Sequence, residues 1–454
     1  MKCILIVIGL LSLLRLSWAQ GQNTGRPDDR FKTDLLVVVA HPDDESEIGS
    51  YLARLIFDEH KRVAVVFGTR GNSGGNAVGQ EQAASLGAIR EIEGRRALAY
   101  LGVMNVWFLD GPDTPGQDVL RSLETWDHGR SLGRLVRIVR LTRPSVIATW
   151  LPDYVAGENH GDHQAAGVIA TEAFDIAGDP TQYPEQVTPP RNANDISNLT
   201  EGLHPWQAQK LYYFSDADVT HTEFMKGQGP QYSAADVSPS KKVTYARLSA
   251  EECTFHLTQS DSGYAARVAL EKNQVEKTYF QEPSRFIFGK AHVSSSISGD
   301  LWEGVRENAM SFMPPPGFHP QPVTRLTVAL GGPWHYYQQF WEAHGLQHLV
   351  RLVPPEVMAG VGTRVMLPVL VENGSAQAVD GEIRVGVPEG WEVYSGAGPF
   401  HAGVGETVAK EITVIAPKAL SNVWRDIKIT ANAAGKPIGS LGIRTQVVQW
   451  SLPQ

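Results

Sequence analysis

The stretch Leu35-Leu36-Val37-Val38-Val39-Ala40-His41-Pro42-Asp43-Asp44-Glu45 carries the decisive information in this chain. A short, β-branched apolar run ended by a proline reads as a strand buried on both faces, the kind found in parallel sheets. A dinucleotide fold would place a glycine-rich turn after such a strand. This turn instead offers an imidazole and adjacent carboxylates. Pro42 restricts the backbone, so that His41 and Asp44 can approach one point while Asp43 is directed elsewhere.

Outward from this turn the pattern repeats. Val63 to Phe67, Val106 to Leu109, Val146 to Trp150 and Leu211 to Phe214 are further strand-like runs. Between them, Ile48, Leu52, Leu55 and Ile56 mark one helical face, and Leu132, Leu135, Val136 and Val139 mark another. Alternating β and α units predict an α/β, Rossmann-like, mostly parallel sheet with helices on both faces, spanning residues 34–215. Residues 180–200 are rich in Pro and Asn and read as a surface loop. Residues 216–345 read as an extension packed on this domain, with a helix around Tyr245 to Gln259. Beyond residue 350 the texture changes to alternation broken by Gly and Pro, at Arg364 to Val371, Glu382 to Val387, Val408 to Ile415 and Asp426 to Thr430. That spacing predicts an all-β sandwich domain over 350–454.

Composition narrows the function. Of 454 residues, 42% are hydrophobic and 20% charged, ordinary globular material. The formal charge of -9 leaves no basic surplus for a polyphosphate backbone, which argues against a nucleic-acid partner. Lys2, the apolar run Cys3 to Leu14 and the small residues Ser17 and Ala19 predict a cleaved signal peptide over 1–19, hence a secreted or periplasmic protein. Arg15 cuts the run well short of the ~20 apolar residues a membrane span needs, and no transmembrane segment is expected after cleavage. Cys253 is then the single cysteine, predicted buried and structural, with no intramolecular disulfide to form. The oligomeric state is not legible at this level.

A second cluster, His160-Gly161-Asp162-His163, follows the strand Val146 to Trp150 and opens a helix. Loops after parallel strands open on the same sheet edge, so the two clusters converge. Two imidazoles and a carboxylate suit Zn²⁺, and three protein ligands leave a fourth position for water. Another divalent first-row metal fits the same donors. Gly68-Thr69-Arg70-Gly71-Asn72-Ser73-Gly74-Gly75 lacks the G-K-[ST] ending of a phosphate-binding loop and reads as a loop beside the cleft, with Arg70 a candidate substrate contact. No G-x-S-x-G elbow follows any candidate strand, so serine-triad hydrolysis has no support.

Both intact motifs, A-H-P-D-D-E and H-x-D-H, resemble those of the PIG-L or LmbE-like N-acetylglucosaminyl deacetylases. The resemblance implies metal ligation by His41, Asp44 and His163, and Asp43 as general base toward water. It implies His160 as the cation that stabilises an oxyanion or protonates the leaving amine, and Asp162 as the residue that orients a neighbouring histidine. Arg90, Glu93, Ala97, Leu101 and Gly102 match the family's R-x-x-E-x-x-x-A-x-x-x-L-G helix, which makes Arg90 a candidate substrate-binding residue. Asp110, ending its strand, is a second. His256-Leu257-Thr258-Gln259 is similar to a late H-x-S-Q segment, with Thr for Ser. His256 is left outside the catalytic set, as a histidine satisfied by backbone carbonyls. The expected substrate is an N-acetylated sugar or glycan. The competing reading is a non-catalytic carbohydrate-binding or cell-surface protein on a deacetylase-like scaffold, which would have no use for Asp43.

Overall fold

The computed structural model describes residues 27–155, 160–188, 203–217 and 222–449. The predicted signal peptide, 1–19, and the Pro- and Asn-rich loop beyond residue 188 lie outside them. Strands β1 (Leu35–Val39), β2 (Val63–Phe67), β3 (Asn105–Phe108), β4 (Val146–Trp150) and β5 (Lys210–Phe214) run parallel in the order β3-β2-β1-β4-β5. Ile287–Ala291 closes the sheet as an antiparallel edge strand on β5. Every residue of β1, β2, β4 and β5 is buried, as strands covered on both faces must be.

The covering helices are α1 (Gly49–Phe57), α2 (Ala83–Leu101), α3 (Val119–Thr125), α4 (His128–Thr142) and α5 (Gly161–Ile176). One group, α3, α4 and α5, packs together, with α5 against β1 and β4; α1 and α2 pack with the later helix Tyr245–Cys253. The strand order fixes where a ligand can sit. From β1 the chain moves to β2 and β3 on one side, then crosses to β4 on the other, so the loops after β1 and β4 diverge over a crevice at the carboxyl edge. Those are the loops carrying the two motifs.

The predicted helix from Tyr245 to Gln259 stops at Cys253, and Ser260–Tyr264 forms a single π-turn. Cys253 is buried and free. Beyond residue 350, two sheets enclose a second core that includes Leu367, Val369, Ile383, Ile412, Val414, Ile427, Ile429 and Ile443. One has the order 356–360, 436–448, 421–433, 379–386, 398–402, and the other 392–395, 407–415, 364–373, 326–330. The last of these strands, Leu326–Leu330, comes from the stretch read as an extension and pairs antiparallel with Arg364–Asn373. The following helix, Gly332–Ala343, returns to the first core, where Tyr337, Phe340 and Trp341 are buried and the Tyr337 hydroxyl donates to Gln164 Oε1 at 2.6 Å. The two cores therefore interlock across residues 326–343. Among the described residues no helix is long and apolar enough to cross a membrane.

Gly167 lets α5 lie this close to the sheet: a Cβ there would come within 2.4 Å of the Trp150 carbonyl oxygen and 2.9 Å of Pro152 Cβ. Replacing a mid-helix glycine by alanine ordinarily stabilises by up to ~1 kcal/mol, but overpacking costs roughly 1–3 kcal/mol and here the obstacle is backbone. Gly167→Ala is therefore expected to lower the midpoint of chemical denaturation, and an unchanged or raised midpoint would contradict this packing.

Candidate active site

Asp44 joins the two loops. Its Oδ2 accepts from the Ala40 and His41 backbone N–H groups, each at 2.9 Å, and from Trp150 Nε1 at 2.7 Å. The remaining oxygen, Oδ1, stands 3.6 Å from His41 Nδ1 and 3.3 Å from His163 Nε2. Donor atoms at ~2.0–2.1 Å from a tetrahedral zinc stand roughly 3.3 Å apart, so the separations suit a metal of that size. The charges suit it as well. Burial disfavours a charged imidazole at His163, yet the Asp44 and Asp216 carboxylates outweigh burial and raise its pKa to about 10. His41 is likewise raised well above the ordinary value, against burial, by Asp44, Asp113 and Asp162. A field that holds protons there is one that favours a cation.

Each imidazole is braced from behind. His41 Nε2 lies 3.0 Å from Asp113 Oδ1 and 3.5 Å from Asp162 Oδ2, and His163 Nδ1 lies 3.4 Å from Asp216 Oδ2. The His163 ring also stacks on Trp150, centroids 4.4 Å apart. Such partners fix the ring orientation and the tautomer of a metal ligand. His41, His160 and Asp162 form a second convergent set. There, however, both Asp162 oxygens already accept from Thr114, Oδ2 from its N–H at 2.8 Å and Oδ1 from its hydroxyl. Asp162 thus stands behind His41, its oxygens already engaged by Thr114.

Asp43 faces the same cleft without joining the ligand set. Burial, then the neighbouring Asp44 and Glu45 carboxylates, push its pKa up to about 6 despite pulls from His256 and Ser262. A carboxylate near that value is a competent base in neutral water. His160 caps α5, its Nδ1 accepting from the Asp162 N–H at 3.3 Å, which leaves Nε2 as the donor. Burial and the charges at His41 and His163 lower its pKa to about 4. That environment favours an imidazole donating through Nε2 over the expected cation.

The cleft measures about 1200 Å³ and is also lined by Ser73 to Ala77, Thr114 to Gly116 and, from the extension, Ser249, Tyr279, Glu282 and Arg285. Arg90 borders it but braces the glycine loop: Nη1 donates to the Gly71 carbonyl at 2.5 Å, Nη2 to the Gly75 carbonyl at 2.8 Å and Nε to Thr258 Oγ1 at 3.2 Å. Two of its five N–H donors remain. Asp110 stands outside the cleft, tied to Arg70 and, at 2.8 Å, to Arg134; Arg70 also binds Glu91 at 2.7 Å. Asp110 and Arg70 thus belong to a network of ion pairs outside the cleft, whereas Arg90 is buried at its border. His256 is corrected too: it is fully buried and meets a carboxylate in place of backbone carbonyls, Nε2 lying 3.1 Å from Glu45 Oε1. Asp113 and Asp216 escaped notice in the sequence, although each lies in the loop after a parallel strand, the signal that exposed the two motifs.

A doubly wound sheet with a His, Asp and His set at its switch point, and a free carboxylate beside it, defines an α/β protein with a candidate catalytic metal centre. The PIG-L family profile, described as GlcNAc-PI de-N-acetylase, matches residues 36–174. Residues 36–174 are a PIG-L family domain. Over 167 residues the chain is 35% identical to a 1D-myo-inositol 2-acetamido-2-deoxy-alpha-D-glucopyranoside deacetylase of Geodermatophilus obscurus, covering 33% of this chain and 56% of that one. It is also 35% identical over 203 residues to the protein of the same name from Streptomyces avermitilis, covering 41% and 61%. The chain thus spans a little over half the length of these relatives. Among solved structures, the N,N'-diacetylchitobiose deacetylase of Pyrococcus horikoshii aligns with 56% of this chain and 82% of its own, at 18% identity and a TM-score of 0.39.

His163→Ala is expected to abolish tight binding of a divalent metal while the far-ultraviolet circular dichroism is kept. Metal analysis after gel filtration decides it: stoichiometric metal in the variant would remove His163 from the ligand set.

Proposed function

We propose that the protein is an exported, zinc-dependent hydrolase that removes the N-acetyl group from an amino sugar of N-acetylglucosamine type, yielding acetate and a free amine. The observation that carries this reading is the placement of Asp43, half-buried and outside the candidate ligand set, on the cleft that His41, Asp44 and His163 also face. The PIG-L domain and the names of its curated relatives support an N-acetylated glucosaminide as substrate.

A divalent cation bound by those three residues supplies Lewis-acid polarisation of the amide carbonyl and acidifies water. The remaining work belongs to the protein. Asp43 takes a proton from the water that attacks the carbonyl carbon. Nε2 of His160 donates a hydrogen bond to the carbonyl oxygen as negative charge builds there, the point at which a preorganised donor contributes most. The proton gained by Asp43 is the one the departing nitrogen requires, so a single carboxyl serves as base and then as acid. Asp113 and Asp162 hold the His41 ring, and Asp216 the His163 ring, throughout.

Release of acetate from chitooligosaccharides and peptidoglycan fragments, with and without a chelator, tests the reading. Activity should vanish with the chelator and return with Zn²⁺; acetate release indifferent to chelation would refute metal dependence, and none from any N-acetylated glycan would favour a binding scaffold. Asp43→Asn should keep its metal and lose roughly 10²–10⁴-fold in kcat, the usual contribution of a general base. An unchanged rate would remove Asp43 from the mechanism.

Export is part of the proposal and has its own test. Expressed in a bacterial host, the mature protein should be found in the periplasm or medium, with an N-terminus that follows Ala19. A cytoplasmic protein retaining Met1 would exclude it.

A further inference from the structure

We propose that the segment His256 to Ser262, which lies outside the matched domain, is a clasp that fixes the Asp43 carboxylate for proton transfer, with Ser262 and His256 as positioning residues. The proposal rests on the hydrolase reading for its kinetic consequence and on geometry for the rest.

Asp43 occupies an unusual backbone conformation, φ 116° and ψ -22°, beyond the left-handed region that aspartate sometimes visits. Such a residue is retained only where its surroundings over-determine it. Four contacts do so, three of them from this one segment. The Asp43 N–H donates to Glu45 Oε2 at 2.9 Å, and the other Glu45 oxygen lies 3.1 Å from His256 Nε2. A carboxylate only accepts, which assigns the proton to Nε2. Gln259 Nε2 donates to the Pro42 carbonyl, and Ser262 Oγ donates to Asp43 Oδ2 at 2.9 Å. With Oδ2 taken, Oδ1 is the oxygen left to meet water.

The segment can reach Asp43 because of its own fold. Helix Tyr245–Cys253 ends early, and the π-turn Ser260–Tyr264 doubles back so closely that a Cβ at Gly263 would sit 2.0 Å from the His256 carbonyl oxygen. Single π-turns of this kind frequently mark functional sites. Thr258 anchors the far side, donating from its hydroxyl to Glu93 Oε2 at 2.7 Å and from its N–H to Glu93 Oε1 at 3.1 Å. His256, Glu45, Glu93 and Thr258 are all buried. A fold-stabilising knot would need no hydroxyl aimed at the base; the Ser262 contact is what distinguishes a positioning device.

Ser262→Ala should lower kcat by roughly 10–100-fold, the usual cost of losing an orienting partner, with KM and metal content unchanged. Ser262→Thr keeps the hydroxyl and should recover most of the loss. Introduced into Asp43→Asn, Ser262→Ala should cost nothing further, because residues acting through one group are not additive. A full additional loss in that background, or a raised KM at constant kcat, would overturn the assignment. Hydrogen exchange at the Asp43 amide supplies a readout independent of turnover. His256→Leu should accelerate it and His256→Gln, which keeps a donor, should restore protection; equal exchange in wild type and His256→Leu overturns the clasp. If the wild type hydrolyses no amide, the hydrolase reading falls, and exchange alone still decides whether the clasp exists.

Discussion

The site depends on the division of labour between the two oxygens of Asp44. Three N–H donors, two from the end of β1 and one from Trp150 at the end of β4, converge on Oδ2. They neutralise half of a buried carboxylate and fix its plane. Oδ1 is thereby aimed between His41 and His163, and burial's tendency to protonate the group is overcome by these two imidazoles, which hold its pKa well below the ordinary value. One side chain thus ties adjacent parallel strands together and presents the anionic donor of a candidate metal site. Two neighbouring strands with a reversed chain direction of travel create the crevice, and Asp44 makes that crevice electrically negative at one point.

Strands β1, β2 and β4 were legible because a strand buried on both faces must be a continuous apolar run, and Leu35 to Val39, Val63 to Phe67 and Val146 to Trp150 are such runs. The edge strand Ile287–Ala291 carries Gly289 and Lys290 and is only partly buried, so its composition resembles loop. The same reason hides Leu326–Leu330 from its sandwich: five residues at a sheet edge, preceded by a Pro-rich stretch, do not signal which of two cores they serve. That assignment is made by pairing with Arg364–Asn373, a contact across about forty residues that no local pattern encodes.

The convergence of His41, Asp44 and His163 was readable because spacing and chain position both constrain it. Arg90 and Asp110 show the limit. A charged side chain near a cleft can meet substrate or another residue of the chain, and only the three-dimensional partners decide. Arg90 finds the carbonyls of Gly71 and Gly75, and Asp110 finds two guanidinium groups. Asp113 and Asp216 were missed for the converse reason: each is an unremarkable loop aspartate until β3 and β5 bring it behind a histidine. His256 was set aside because a helix-terminal histidine ordinarily bonds carbonyls, whereas Glu45, more than two hundred residues earlier, provides a carboxylate in the same core.

Asp43 and Asp44 are adjacent in sequence and opposite in chemistry. The positive φ at Asp43 turns its carboxyl away from the amides that Asp44 collects. Deprived of those donors and set beside two other carboxylates, Asp43 is pushed up to about 6, while Asp44 stays ionised. Separating the affinities of two titratable groups by environment is the general way in which one fold obtains distinct roles from identical residues. Here the separation comes from the partners each carboxyl meets: His41 and His163 at Asp44, and burial beside Asp44 and Glu45 at Asp43.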